Sequence, residues 1–196
     1  KITPKIGKIF TESKLMGKCV DVKQGMISGN NKKYLRYKWE VPSNMRGKRF
    51  FPYANGGGYA KYANSILEYI DWDNNGKELK ADAKRKYGSE SRTIKNTDYF
   101  FRGGVTYSCI GGHNFSARNY PEGCIFSDSG PCVFSNDVDK MYILGYMNSK
   151  IINYLAVLLN PSVGFRIGDV ERIPFIRLNS ELEQKIIDIS RELVEI

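Results

Sequence analysis

The sequence predicts an α+β domain: a twisted mixed β-sheet with flanking short helices and an amphipathic helix at the C-terminus. Three observations carry this expectation. From Gly104 to Phe134, short β-branched and aromatic runs are separated by glycine pairs and proline turns, which is the pattern of a meander. From Met141 to Leu159, two apolar runs of helical length follow one another. Near the end, Leu182, Ile186, Ile189, Leu193 and Ile196 step by 4, 3, 4 and 3, the seam of a helix pair.

The Met141–Phe175 block organises the chain. Asn148-Ser149 divides its two helical halves, where a side-chain oxygen can cap the second helix. Pro161 cannot continue a helix and pushes Asn160 out of the α region. Gly164 and Gly168 then allow a tight loop that carries Arg166 before a short strand.

In chain order, residues 1–16 read as a lysine-rich lead-in, irregular or a short strand, and Lys18–Val22 as a strand. Gly25 and Gly29 bracket a loop, Asn30-Asn31 is turn chemistry, and Tyr34–Val41 has strand character. This stretch gathers Gln24, Ser28, Asn30, Asn31, Lys32, Lys33 and Arg36, a mixture suited to phosphates and base edges. A solvated hairpin tip would use the same residues.

Arg46, Lys48 and Arg49 lead into Phe50, Phe51 and Tyr53, then Gly56-Gly57-Gly58, Tyr59, Lys61 and Tyr62. Aromatics interleaved with cations and glycines recur where a backbone tracks nucleic acid. They equally serve as core residues around a bend. No Gly-Lys-Ser/Thr follows the glycines, so they are not a P-loop.

Tyr69–Trp72 reads as a strand, Asp73-Asn74-Asn75-Gly76 as a turn, and Lys77–Ser91 as an exposed helix or ordered insertion. In the meander the strand pieces are Val105–Ile110, Phe115–Arg118, Cys124–Phe126 and Cys132–Phe134. Their alternation places Arg102, Thr106, Ser108, Asn114, Ser116 and Arg118 on an exposed face. Asn136 or Asp137 caps the helical pair, and Ser180 with Glu183 forms a capping box on the last helix.

Composition narrows the function classes. The 196 residues are 41% hydrophobic and 26% charged, with a mean hydropathy of −0.43, enough apolar material for a real core. No run is long and apolar enough to span a bilayer, and KITPKIGKIF is no signal peptide, so the expected location is cytoplasmic, away from membranes. Residues 1–66 hold 14 Lys and Arg against only Glu12, Asp21 and Glu40, within a net charge of +9. Such asymmetry suits a polyanionic partner, although lysine-rich surfaces also serve solubility. The chain lacks a starting Met and its helical pattern is still running at Ile196, so it reads as a piece of a longer protein.

No catalytic or metal constellation emerges. Cys19, Cys109, Cys124 and Cys132 lack the C-x-x-C spacing of a zinc site and read as reduced. His113, the single histidine, sits between Gly112 and Asn114 as a turn residue, and Asp71 with Asp73 reads as a solvated strand end. No nucleophile, base and oxyanion hole assemble.

Four segments in order carry a resemblance: VKQGMISGNNKKYLRY (22–37), FFPYANGGGYAKYANSILEYIDWDNNGKELK (50–80), GVTYSCI with FSARNYPEGCIF (104–126), and YILGYMNSKIINYLAVLLNP with RIGDVERIPF (142–175). Together they resemble the target recognition domain of adenine-specific DNA methyltransferases of the phage-exclusion (BREX) and single-chain type II restriction-modification kinds. More distantly the chain is similar to half of a type I restriction specificity subunit, whose spacer helix the SELEQKI start resembles. Asn160-Pro161-Ser162-Val163 resembles the Asn/Asp-Pro-Pro-aromatic adenine grip of amino-methyltransferases, but lacks the second proline and the aromatic, and reads as a helix stop.

The resemblance implies a recognition body over residues 1–178 and the start of a spacer or dimerisation helix over 179–196. It implies double-stranded DNA as partner and a methyltransferase domain elsewhere in the parent chain, where S-adenosylmethionine would bind. It further implies that Arg36, Lys61, Arg118 and Arg166 meet phosphates or guanine edges, while Gln24, Asn30, Asn31 and Asn114 offer amides. Ser28, Lys32 and Tyr107 complete the expected contact set. Leu182, Ile186, Ile189 and Leu193 would pair with another helix. A protein–protein assembly module with a solvated basic surface is the alternative expectation.

Overall fold

The structure, a computed structural model, describes residues 3–110, 114–162 and 164–196; His113 and Val163 lie outside them. In order the elements are α1 (Pro4–Glu12), β1 (Lys14–Leu15), β2 (Asp21–Lys23), α2 (Asn31–Tyr34), β3 (Leu35–Tyr37), β4 (Phe50–Ala54) and β5 (Glu68–Asp71). There follow α3 (Asp73–Tyr87), β6 (Gly104–Tyr107), β7 (Ala117–Tyr120), β8 (Ile125–Phe126) and β9 (Cys132–Phe134). The chain ends with α4 (Lys140–Asn148), α5 (Lys150–Leu159), α6 (Ile167–Glu171), β10 (Pro174–Phe175) and α7 (Ser180–Glu195).

The fold is α+β, as expected, but the single mixed sheet resolves into three. An antiparallel sheet runs β2-β9-β6-β7, a second sheet runs β3-β5-β4-β8 with β4 and β8 parallel, and β1 pairs with β10. The first sheet is a middle layer. Val22, Val105, Tyr107, Ala117 and Val133 on one face pack with Tyr142, Leu144, Met147, Ile152 and Leu155 of α4 and α5. Tyr120, Cys132 and Phe134 on the other face pack with Tyr53, Ile70, Ile125 and Phe126 of the second sheet.

This layering corrects the meander's exposed face. Thr106, Ser108, Ser116 and Arg118 are all buried, because the second sheet and its loops cover the side that alternation assigned to water. Alternation separates two faces and does not reveal whether the polar one is solvated. Thr106 Oγ1 bonds the Gly130 and Pro131 carbonyls at 3.2 and 3.1 Å, which satisfies its burial.

Other local differences have equally local causes. The lead-in is a helix: Pro4 starts α1, and Ile6, Ile9 and Phe10 form an i, i+3, i+4 face against the core. Strand character in 34–41 is confined to β3, since Asn30 caps α2 through the Lys33 N–H at 3.1 Å and Lys38–Glu40 is a 3-10 turn. Asp139, rather than Asn136 or Asp137, caps α4, accepting from the Met141 N–H at 2.7 Å. Asn179, not Ser180, caps α7, and Glu183 accepts instead from the Leu178 N–H and from Arg177.

Several expectations hold. Ser149 caps α5, α5 ends at Leu159 before Asn160-Pro161, and α3 opens on a turn in which Asn74, Asn75 and Gly76 all take left-handed backbone before its regular helix begins. The polar loop after Pro161 contains the short helix α6 and ends in β10. α7 docks on α4 at a close crossing, where a β-carbon on Gly145 would stand 2.6 Å from Ile186 Cγ2 and Ser190 Oγ. Its docking face uses Ile186, Ile187, Ser190 and Val194, leaving Leu182 and Ile189 exposed.

Candidate nucleic-acid interface

Strand registers bring one set of strand ends together. Lys23 faces Cys132, Cys132 faces Thr106, Tyr107 faces Ala117, and Tyr37 faces Glu68. Parallel β4 and β8 end side by side at Ala54 and Phe126. The loops leaving these ends therefore emerge on one side of the molecule. Residues 127–130 tie them: the Gly25 N–H donates to Ser127 O at 3.3 Å, Ser127 N–H to Ala54 O at 3.0 Å, and Cys109 N–H to Ser129 O at 2.9 Å. Phe165 N–H donates to Cys109 O at 2.8 Å and adds the loop that carries Arg166.

The contact arm at 24–36 divides. Gln24 stays at the gathered end, its amide oxygen taking the Lys95 ammonium at 3.2 Å. Ser28 is buried, and its hydroxyl donates to Asn31 Oδ1. Asn30 is spent as the α2 cap. Lys32 is exposed with no side-chain partner among the described residues, whereas Lys33 reaches Asp82 and Glu78 on α3 at 2.8 and 2.6 Å. Arg36 turns back onto the carbonyls of Lys32 and Lys33, at 2.9 and 3.3 Å, as a C-terminal cap of α2.

Lys61 is likewise an internal prop, since its ammonium donates to Asn148 O at 2.9 Å, at the C-terminus of α4. Tyr107 is 0% exposed, its phenol pushed upward in pKa by burial, so it is not a surface contact. Arg118 is 2% exposed and donates to Gly58 O at 3.1 Å and Ser108 Oγ at 2.8 Å, which removes it from any exposed reading face. Desolvation lowers its pKa from the ordinary arginine value. Asn114 and Arg166 remain exposed, and the Arg166 guanidinium takes no partner among the described residues.

The gathered end also presents residues outside the expected set. Tyr37 and Trp39 stack with ring centroids 4.7 Å apart and planes 8° from parallel, although they are 49% and 67% exposed. Lys38 between them is exposed, its backbone N–H held by Leu67 O at 2.7 Å. Tyr59 and Ile110 are exposed on neighbouring loops. The sequence signal for the stack is the aromatic i, i+2 spacing at the end of β3, which places both rings on one side only once the 3-10 turn is known.

Beside Tyr37 lies a cleft of about 300 Å³ lined by the Asn55–Gly57 and Asn64–Glu68 segments, with Thr106, Arg118 and Asn119. Asn55 Nδ2 donates to Glu68 Oε2 at 3.0 Å in its wall. Among the described residues no group of three or more His, Cys, Asp and Glu could hold a metal, and no helix is long and apolar enough to cross a membrane. The Gly56–Gly58 loop runs into irregular chain rather than a helix, so it does not fit a cofactor pyrophosphate or an S-adenosylmethionine tail.

No family model matches the chain. It is 31% identical over 189 residues to the adenine-specific methyltransferase PglX of Lacticaseibacillus casei (strain Zhang), an alignment spanning 88% of this chain and 16% of that protein. It is 34% identical over 148 residues to the adenine-specific methyltransferase BrxX of Escherichia coli O9:H4 (strain HS), spanning 73% of this chain and 12% of that one. Its fold is similar to part of the type IIG restriction endonuclease BpuSI, with a TM-score of 0.57 at 10% identity over 95% of this chain and 27% of that one. The chain thus spans less than a fifth of the length of the curated relatives it matches.

Proposed function

From a chain homologous to one segment of the BREX adenine-specific methyltransferases PglX and BrxX, we propose a target recognition domain that binds duplex DNA and performs no chemistry of its own. The observation that supports this most is the gathering of loops at one end, presenting Lys38, Arg166, Asn114, Gln24 and the Tyr37–Trp39 pair. Unpaired cations suit phosphates, amides suit base edges, and the three-layer body fixes the geometry of both.

In this reading Lys38, Lys32 and Arg166 take phosphates, and Gln24, Asn31 and Asn114 read bases. Methyl transfer, with S-adenosylmethionine as donor, belongs to another region of the full-length protein. Residues 1–178 form the recognition body and 179–196 begin a spacer helix. An assembly role has one observation in its favour: Leu182, Ile189 and Ile196 line an exposed face of α7 that could meet a neighbouring helix.

The direct test is affinity for random-sequence duplex measured as salt is raised. The log of the binding constant should fall linearly with the log of salt, because neutralising phosphates releases counterions. A flat response sinks the DNA reading. Specificity is tested by exchanging residues 1–178 between two such enzymes and mapping methylated sites, which should follow the exchanged segment.

A further inference from the structure

The turn that follows β3 holds two aromatic rings out in water on a fixed backbone. The Tyr37 N–H donates to Glu40 Oε2 at 2.6 Å and the Lys38 N–H to Leu67 O at 2.7 Å. The Arg46 guanidinium donates to the Lys38 and Val41 carbonyls at 2.7 and 3.1 Å. The backbone on both sides of Trp39 is thus pinned, while its indole stays mostly in water with Tyr37 stacked on it. Leu67, bonded to the same turn, is exposed as well. Apolar surface held rigidly in water marks a place where something binds.

The surrounding charge selects the partner. Residues 32–49 hold seven Lys and Arg against Glu40 alone. Lys33 and Arg49 pair with acids of α3 and β5, and Arg36 and Arg46 are spent on carbonyls. Lys32, Lys38 and Lys48 stay exposed without side-chain partners among the described residues. Flat rings among free cations fit nucleic acid, with phosphates meeting the ammonium groups and base faces meeting the rings. In a paired duplex the base faces are closed off by stacking, so a ring reaches one only by parting a step.

We propose that Trp39, backed by Tyr37, is a wedge that enters the duplex at one base-pair step, parts its two pairs without unpairing either, and bends the DNA. The cost falls on the stacking of that step. Pyrimidine–purine steps such as TA give way most easily, and A-tracts resist. Trp39 thereby selects sequence without a hydrogen bond to any base edge. The inference rests on the DNA-binding reading, and the test separates the two.

The chain, residues 1–196, is titrated with two duplexes of equal length, one rich in TA steps and one built of A-tracts. Anisotropy of the labelled DNA gives the affinities. The chain has two tryptophans, Trp39 and the buried Trp72, so loss of tryptophan emission on binding reports Trp39. The TA-rich duplex should quench that emission and bind about tenfold more tightly than the A-tract duplex. Trp39→Ala should bind the two alike. Trp39 is mostly exposed, so the variant retains the fold, which a thermal melt verifies. Binding without quenching, equal affinities in the parent, or a preference that survives in Trp39→Ala overturns the wedge and leaves DNA binding intact. Failure to bind either duplex overturns DNA binding and the wedge with it.

Discussion

Asn148, at the end of α4, pairs its side-chain amide with both backbone groups of Ala117: the Ala117 N–H donates to Oδ1 at 3.0 Å and Nδ2 donates to the Ala117 carbonyl at 2.8 Å. β7 is the edge of its four-stranded sheet there; Tyr62 bridges this edge and its N–H also donates to Ala117 O at 2.9 Å, while the carboxamide supplies the acceptor for the Ala117 N–H. Asn148 is 3% exposed, so nothing else can satisfy the Ala117 N–H. Asn148→Leu should cost about 1–3 kcal/mol by stranding the buried Ala117 N–H, since Ala117 O keeps the Tyr62 N–H. The measurement is the urea midpoint, and an unchanged midpoint would contradict the clamp.

Gly145 sets how closely α7 approaches α4. A β-carbon would lie 2.6 Å from Ile186 Cγ2 and from Ser190 Oγ, closer than side chains tolerate. Gly145→Ala gains up to about 1 kcal/mol of helix propensity but overpacks the crossing at about 1–3 kcal/mol. Net destabilisation is expected, larger for Gly145→Val. It should appear in hydrogen exchange as faster exchange of α7 amides while β6 amides stay protected. Equal protection of α7 in both variants would place the crossing energy elsewhere.

Much of the body is legible in the sequence because its signals are local. Ser149, Asn160-Pro161 and Asn74-Asn75-Gly76 act on their own neighbours, and the structure finds all three where the residues imply. The α1 helix is hidden because Ile6, Ile9 and Phe10 sit among lysines and are only three residues. The candidate site is far less legible. Arg118 and Tyr107 look the same in sequence whether a neighbouring layer covers them or water does; Arg118 lies under the second sheet, contributed by residues 35–71 and 125–126, and Tyr107 under the helices α4 and α5. Arg36 and Lys61 look like free cations in the sequence, yet each bonds a carbonyl at the end of a helix, a use that depends on tertiary position.

Asp82 on α3 gives the fold a defined response to acid. The Lys33 ammonium at 2.8 Å and the Tyr34 hydroxyl at 2.6 Å hold its carboxyl at about 2, below the ordinary value of 3.8. A depressed carboxyl contributes stability fully above its unfolded pKa, and loses it as pH falls through the folded one. The tie between α2 and α3 should therefore hold above pH 3.8 and release between there and about 2. Lys33 is raised by the same contact, so its share persists below its ordinary value and is lost only at higher pH. Lys33→Met should move the Asp82 titration upward, followed by the side-chain carboxyl carbon shift. An unmoved titration would show that Tyr34 and Arg85, whose guanidinium also pairs with Asp82, suffice.

Two pairs of cations should separate phosphate contacts from internal props. Lys38 and Arg166 are exposed at the gathered loop end without partners among the described residues, whereas Arg36 and Lys61 bond carbonyls of their own chain. Lys38→Ala and Arg166→Ala should each weaken binding to every duplex alike and lower the salt slope by about one. Their stabilities, followed by thermal melts, should stay within about 0.5 kcal/mol of the parent's, as for other surface changes. Arg36→Ala and Lys61→Ala should do the reverse, losing roughly 0.5–1.5 kcal/mol of stability with an unchanged salt slope. Salt titrations and melts on the four variants decide it. A slope that drops for Arg36→Ala but not for Lys38→Ala would move the DNA path from the loop end to the α2 flank.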